Sequence, residues 1–396
     1  DVIKRQVLSI SLFPYVYIFS KTAFKVESIQ VYEVAKLMQY SEFQIFTKVA
    51  IITARPAILS GLMLVFMETL SDYGTSAYYG VDTFSAGIFK LWYDLGDSYS
   101  SAILSGFLMA FVFLVMYLEY YYKVRHKYSF NQDLKVFIKR RKLSPFKAFL
   151  TFLYCLVIAV LGFILPFIWL LYWGLQDERI FEGTFYSIML NSLVIAAVGA
   201  IIVTLLAYFL IFVARVCRQK FLSIFILKLS SLGYAIPGAA IGISIMIFVI
   251  FFGKITGVDM MGYSLVALVF AYVIRFLATS IYSLEAGYSK IHAQTDEVLL
   301  FMRPSLFILW SKIHTPLLKH FLLLSFIVVF IDIVKELPLA RMLSPFGFET
   351  LALKAFWYAS DERIYDAALP SLLIVLMSLF AIFWVQRFGR GDDVKN

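Results

Sequence analysis

Four carboxylates stand inside stretches of sequence that are otherwise apolar: Glu68 and Asp72 in one, Asp332 and Glu336 in the other. The members of each pair are four residues apart, so on a helix they share one face. A carboxylate at the centre of a membrane helix costs about 2.5 to 3.5 kcal/mol on insertion scales, and it must therefore have a partner or a wet cavity. Carboxylate oxygens suit hard cations, and Tyr73 could add a phenol to such a path. Lys335 supplies a second reading: it pairs with Asp332 or Glu336, and the acids hold the spans together. Arg275, in the span before, is a further counter-charge. On sequence alone both readings stand.

The two acid pairs belong to an internal repeat. An offset of 264 residues lays Glu33 on Glu297, Ser41 on Ser305, Phe43 on Phe307 and Lys48 on Lys312. The register continues without a gap through Glu68 on Asp332, Asp72 on Glu336, Lys90 on Lys354 and Asp97 on Asp361. Apolar helices match one another by default, but charged residues inside them are rare, so their coincidence at one offset marks a duplication.

The elements that carry these residues follow from composition. The chain has 396 residues, 61% of them hydrophobic and 15% charged, with a mean hydropathy of +0.84. That leaves too little polar surface to enclose a soluble core, and the apolar runs are of helix-span length rather than the alternating segments of a barrel. An all-α integral membrane protein is expected, with about eight complete spans and a partial one. The complete spans fall near 57–79, 101–122, 148–175, 185–213, 221–252, 262–284, 320–340 and 366–386. Residues 7–20 are too few to cross a bilayer of ~30 Å and read as the end of a cut span. Repeat logic makes the chain truncated at its N-terminus.

The formal net charge of +9 does not point to nucleic acid. Its basic residues cluster in loops on one side of the spans, as in the linker with Lys123, Arg125, Lys127, Lys135, Lys139, Arg140, Arg141 and Lys142, and that side is cytoplasmic by the positive-inside rule. The chain then divides into 1–122, the C-terminal part of a first copy, a basic cytoplasmic linker at 123–147, and a complete second copy at 148–388. A full copy holds six spans, so the copies enter the membrane in one orientation and relate by a pseudo-twofold axis along its normal. Pro166, the Pro237-Gly238 pair, Gly74 and Pro338 interrupt the spans; Pro166 reads as a simple kink.

Measured at 1.5 Å per residue from Arg55 or Lys319, the first acid of each pair lies roughly 20 Å into the membrane and the second roughly 25 Å, toward the outer mouth. Cys155 and Cys217 have no ligand or disulfide spacing. His292, His314 and His320 fall on the cytoplasmic side and read as surface residues. There is no phosphate-binding Gly-x-x-x-x-Gly-Lys-Ser/Thr loop, no nucleophile elbow and no His-Glu-x-x-His, so this chain is expected to bind no cofactor and to draw its energy from another subunit.

Two cytoplasmic segments, about 27–56 and 285–320, are too polar to span and helical in character. Each breaks near Tyr40-Ser41 or Pro304-Ser305, with Ser41 and Ser305 placed as N-caps. A helical elbow of this kind suits a groove on a soluble partner. Here the sequence resembles the permeases of ABC importers of type I. Their signature loop runs Glu, two small residues, three more, Gly, and then, about nine residues later, Ile-x-Leu-Pro. This chain carries Glu33-Val34-Ala35 and Glu297-Val298-Leu299, with Ile313 and Pro316 in the second copy. It departs at the Gly, where Gln39 and Arg303 stand, and at the first Pro, where Ile52 stands.

The stretches Phe66-Met-Glu-Thr-Leu-Ser-Asp-Tyr-Gly-Thr, Lys335-Glu-Leu-Pro and Pro345-Phe-Gly-Phe-Glu-Thr-Leu-Ala are similar to the fused, two-copy permeases of ferric iron importers. The resemblance implies an inner-membrane subunit without enzymatic activity, two ATPase subunits that hold ATP and Mg, and an external iron-binding protein. It makes Glu33, Ala35, Ser41, Lys48, Glu297, Ser305, Lys312 and Pro316 coupling-loop residues. The paired acids, with Tyr73 and Lys335 beside them, independently make Glu68, Asp72, Tyr73, Asp332, Lys335 and Glu336 candidates for the translocation path. Two alternatives are a permease for another small solute, such as thiamine or a polyamine, and an ATP-independent secondary transporter.

Overall fold

A computed structural model describes residues 2–125, 144–181, 183–216, 223, 226–228, 230, 232–257, 264–289, 291 and 305–389. Glu297, His292, Arg303, Cys217 and most of the basic linker lie outside them. The described residues form helices and no strand. In order these are α1 (Val2–Leu37), α2 (Glu42–Ser71), α3 (Gly74–Tyr78), α4 (Phe84–Phe89, continued by a π-turn over Lys90–Asp94), α5 (Ser98–Arg125) and α6 (Pro145–Leu175). Then come α7 (Gly183–Val216), α8 (Gly238–Thr256), α9 (Ser264–Tyr288), α10 (Leu306–Val334), α11 (Pro338–Leu343), α12 (Leu351–Ser360) and α13 (Ile364–Gly389).

Among the described residues nine helices are long and apolar enough to cross a membrane. The ninth is the segment expected as a remnant over 7–20. That segment lies in α1, whose stretch Val2–Phe24 is long and apolar enough to cross a membrane; Lys4 near its start is buried, with its Nζ on the Ser76 hydroxyl. Two other spans stop earlier than their hydropathy indicates. Helix α2 ends at Ser71 rather than near 79, and α10 at Val334 rather than near 340. Each is followed by a break and a short separate helix, α3 or α11. The span placed at 221–252 is α8, whose N-cap is Pro237. Pro166 follows a π-turn at Val160–Ile164, and the widened turn takes up the carbonyl that the proline ring would otherwise strike.

The repeat is present in local structure. Both α2 and α10 open with three α-helical residues, Glu42–Gln44 and Leu306–Ile308, then pass through π-turns at Ile45–Ala50 and Leu309–His314, at the same offset of 264. The first π-turn forms with Ile52 where the second copy has Pro316, so the proline is not its common cause. Helices α3 and α11 start at equivalent positions, Gly74 and Pro338.

The helices gather into two compact units. One holds residues 1–84 and 107–169, the other 85–106 and 170–396. Ser85–Gly106 thus belongs by sequence to the first copy and by packing to the unit of the second. In the first unit α1 lies along α2, and Gly61 allows it, since a Cβ there would meet the Val16 backbone at 2.8 Å. In the second unit α7, α9 and α10 pack on one another, α12 on α13 and α8 on α11. The α7–α9–α10 core includes Ala207, Tyr208, Ile281, Leu284, Tyr288 and Leu318. A buried Ser280–Ser325 hydroxyl contact of 2.6 Å joins α9 to α10. Small and hydroxyl residues serve at such contacts because apolar side chains gain little by leaving lipid for a helix face. The most apolar window of α6 has none of its residues buried, as a lipid-facing helix requires.

Candidate coupling and translocation sites

At the first elbow α1 ends in a Schellman motif. The Tyr40 N–H donates to the Ala35 carbonyl at 3.2 Å and the Gln39 N–H to the Lys36 carbonyl at 3.0 Å. This places Gln39 at φ 60, the left-handed position that glycine favours. It is the position at which the resembling loops carry Gly, so the substitution alters the residue and keeps the turn. Ser41 then caps α2: its Oγ accepts from the Gln44 N–H at 3.3 Å, and the Gln44 Oε1 accepts from the Ser41 N–H at 3.0 Å. That reciprocal box satisfies two donors at the helix start.

At the second elbow the Ser305 Oγ accepts from the Ile308 N–H at 3.3 Å. Lys48, Lys312 and Pro316 are exposed, while Ala35 is buried. The repeat partners Phe43 and Phe307 stand 75% and 69% exposed, one on each elbow. For Glu33 the structure describes only the backbone, within α1.

His314 departs from the surface location expected of it. It is 1% exposed, its ring lies against Phe212 and Tyr288, and its Nδ1 is 3.2 Å from the Tyr288 hydroxyl. Tyr208 stacks on Trp310, with its hydroxyl 2.9 Å from the Trp310 carbonyl and 3.0 Å from the Thr315 Oγ1. Arg215 donates to the carbonyls of Tyr288 and Ile291. The second elbow is therefore rooted in α7 and α9 by aromatic and polar contacts.

The acids form ion pairs and helix caps. In the first unit the Asp72 Oδ1 accepts from the Thr75 N–H at 3.2 Å, and its Oδ2 from the Ser76 hydroxyl at 3.0 Å. The Lys4 Nζ lies 2.6 Å from the Ser76 Oγ and 3.9 Å from the Asp72 Oδ2. In the second unit the Glu336 Oε1 accepts from the Leu339 N–H at 3.3 Å and lies 3.3 Å from the Arg275 Nη1. Thr75 and Leu339 are repeat partners, as are Asp72 and Glu336. In each copy the second acid thus caps the short helix after the break and faces a cation from the preceding long helix, α1 or α9.

Asp332 pairs with Lys335 at 2.8 Å, and Lys335 is half exposed. Glu68 is half-buried and Tyr73 buried. Asp72, Glu336 and Asp332 thus each stand beside a cation. Among the described residues no three His, Cys, Asp or Glu side chains cluster as a metal site.

Residues 6–126 match the family of inner membrane components of binding-protein-dependent transport systems. Over that stretch the chain is similar to permeases of binding-protein-dependent transport. It is also 25% identical, over 390 residues that make up 97% of this chain and 76% of the relative, to the Fe(3+)-transport system permease protein FbpB 2 of Haemophilus influenzae. With nine helices among the described residues long and apolar enough to cross a membrane, these likenesses fit a multi-pass transport subunit of the inner membrane.

Three features of the permease escape a sequence reading. Lys4 shows no motif, and only the fold brings it to Asp72. Arg179 binds Asp177 and Asp366 through contacts of 2.6 Å and rests on the Tyr358 ring at 4.8 Å. It lines a cavity of about 420 Å³ with Asn191, Glu349 and Lys354. Arg341 lies over four rings, those of Phe89, Tyr93, Phe356 and Trp357. Burial pushes the Tyr93 phenol above its ordinary pKa, against the pull of Arg341, so its hydroxyl stays a donor to the Arg341 carbonyl at 2.9 Å.

Proposed function

We propose that this permease carries ferric iron across the inner membrane, with two ATPase subunits each gripping one elbow and an external binding protein delivering the cation. The observation that carries the coupling half is the paired elbows: Ser41 and Ser305 cap the same short helix at the same offset and present Phe43 and Phe307 to the outside. An exposed aromatic beside a rigid helix start is a suitable anchor for a groove on a partner. Iron as the cargo rests on the similarity to the ferric iron permease and on acids that a passing hard cation can engage. The half-exposed Asp332–Lys335 pair is the readiest of these to open.

Uptake of radiolabelled ferric iron in cells carrying the complete importer tests both halves. Phe43→Ser with Phe307→Ser should abolish uptake and release the ATPase on purification, while membrane levels of the permease stay normal. Glu68→Gln with Asp332→Asn should cut iron uptake at normal protein level. Wild-type iron uptake by that second variant, or iron-independent uptake of thiamine or a polyamine by the unaltered permease, would overturn the cargo.

A further inference from the structure

One face of α7 changes character along its length. Ser187 and Asn191 line the cavity of about 420 Å³ that Arg179 borders, and all of its walls belong to the second unit. At helical spacing Val194, Val198, Ile201 and Leu205 continue the same face, and all four are exposed. Polar at its start and apolar beyond, the face suits a ligand built in the same order. The apolar part, Val194 to Leu205, covers about 16 Å, close to the ~15 Å of hydrocarbon in one leaflet. Since α7 has 34 residues, roughly 50 Å against ~30 Å of hydrocarbon, its first turns reach the headgroup layer. Tyr365, next in the chain to the Arg179 partner Asp366, packs edge to face on Trp173 at 5.0 Å, and Trp and Tyr gather at that depth.

The cavity wall carries charges of both signs. Arg179 lies 4.8 Å and Lys354 5.2 Å from the Tyr358 ring, so two cations border one aromatic and stand within reach of a single oxyanion. Glu349 is 2.9 Å from Lys354, and its side chain, 35% exposed, is open to a ligand. Arg179 spends Nε and Nη2 on Asp177 and Asp366, and its buried Nη1 has no acceptor among the described residues. Those acids and Glu349 offset the positive charge, so the wall favours a ligand with charges of both signs over a net anion. A phosphoethanolamine group, at ~30 Å³ per heavy atom, fills roughly half of the cavity and leaves room for water. The Ser192 Oγ accepts from the Leu351 N–H at 2.7 Å and ties α7 to the start of α12.

We propose that this is a site for a phospholipid with a phosphoethanolamine headgroup. The phosphate sits between Arg179 and Lys354, the ammonium donates to Glu349, and the Asn191 amide donates to a remaining phosphate oxygen. One acyl chain lies along Val194 to Leu205. A headgroup so held bridges Arg179, the start of α7 and α12, and so reinforces the Ser192–Leu351 tie. The site is separate from the elbows and from the paired acids, and it stands whichever solute is carried.

The test is titration of the delipidated, detergent-purified chain with defined phospholipids, read by native mass spectrometry. Phosphatidylethanolamine should bind as the first lipid at least about tenfold more tightly than phosphatidylglycerol, which has no ammonium, or phosphatidylcholine, whose methylated nitrogen cannot donate to Glu349. Soluble phosphoethanolamine and inorganic phosphate, which have no chains, should not displace it at equal concentration. Displacement by either would make this a site for a free phosphate compound and overturn the lipid assignment. Asn191→Leu fills the cavity, and Lys354→Met with Glu349→Leu removes the pair without leaving a lone charge; each should erase the preference among headgroups. If neither variant folds, the headgroup series on the unaltered chain decides. Equal binding of the three lipids there, or an undiminished preference in a folded variant, would overturn the proposal.

Discussion

Glu336 and Arg275 meet at 3.3 Å in a space that only a glycine at 238 leaves open. A Cβ on Gly238 would lie 1.8 Å from the Arg275 Nη1 and 3.0 Å from the Glu336 Oε1. The Pro237-Gly238 break at the start of α8 is thus a packing requirement of the ion pair. Removing one member of a buried pair strands the other, a loss of about 3 to 5 kcal/mol, whereas replacing both with apolar residues of similar size is often neutral. Arg275→Ala and Gly238→Val should each lower the melting temperature of the detergent-purified permease sharply. Arg275→Met with Glu336→Leu should recover most of that loss, and a double-mutant cycle of melting temperatures checks it.

Gln39 holds a backbone conformation that costs a residue with a Cβ about 1 to 2 kcal/mol. Gln39→Gly should relieve that strain, offset in part by the greater freedom glycine gains in the unfolded chain. Slower amide exchange at position 39 and at Tyr40 in the variant is the expected readout. Gln39→Val, β-branched and poorly suited to the left-handed region, should instead speed exchange there.

The duplication was legible because charges inside membrane helices are costly and their register survives when apolar positions drift. It placed Glu68, Asp72, Asp332 and Glu336 in equivalent positions, and it put Ser41 and Ser305 at the starts of equivalent helices. What each acid faces was not legible. Lys4 reaches Asp72 across 68 positions of sequence, and nothing local in α1 announces it. Helices α2 and α10 stop short of their apolar stretches because Asp72 and Glu336 cap the next helix, and hydropathy is blind to capping. His314 reads as a polar residue of a basic segment, and its burial depends on Phe212 and Tyr288 from two other helices.

The two elbow caps differ in strength. Ser41 belongs to a reciprocal box with Gln44, while Ser305 makes a single cap bond, its third successor being Ile308. Loss of a serine cap costs about 1 kcal/mol. Ser41→Ala removes the acceptor for the Gln44 N–H and leaves the Gln44 side chain bonded to the backbone. Gln44→Ala should therefore destabilise the first elbow further when combined with Ser41→Ala, and Ile308→Gln should strengthen the second by completing the box. Amide exchange over 42–46 and 306–310 reads these changes element by element.

The tie through Arg179 predicts a pH dependence. Burial raises the Asp177 carboxyl, but the hydrogen bonds and charge of Arg179 outweigh it and hold the pKa below the usual carboxylate value. Arg179 itself is pushed further up by Asp177 and stays charged. A carboxyl with a depressed folded-state pKa contributes stability that is complete above its unfolded value, about 3.9, and is lost as pH falls through the folded one. The contact between Glu178–Phe181 and the start of α13 should therefore be unchanged between pH 7 and 5 and loosen only below about 4. Asp177→Asn abolishes the charge at every pH, so amide exchange over 177–181 should be fast in that variant already at pH 7. Equal exchange in the two proteins at pH 7 would mean that Arg179 is held by Asp366 and the Tyr358 ring without help from Asp177.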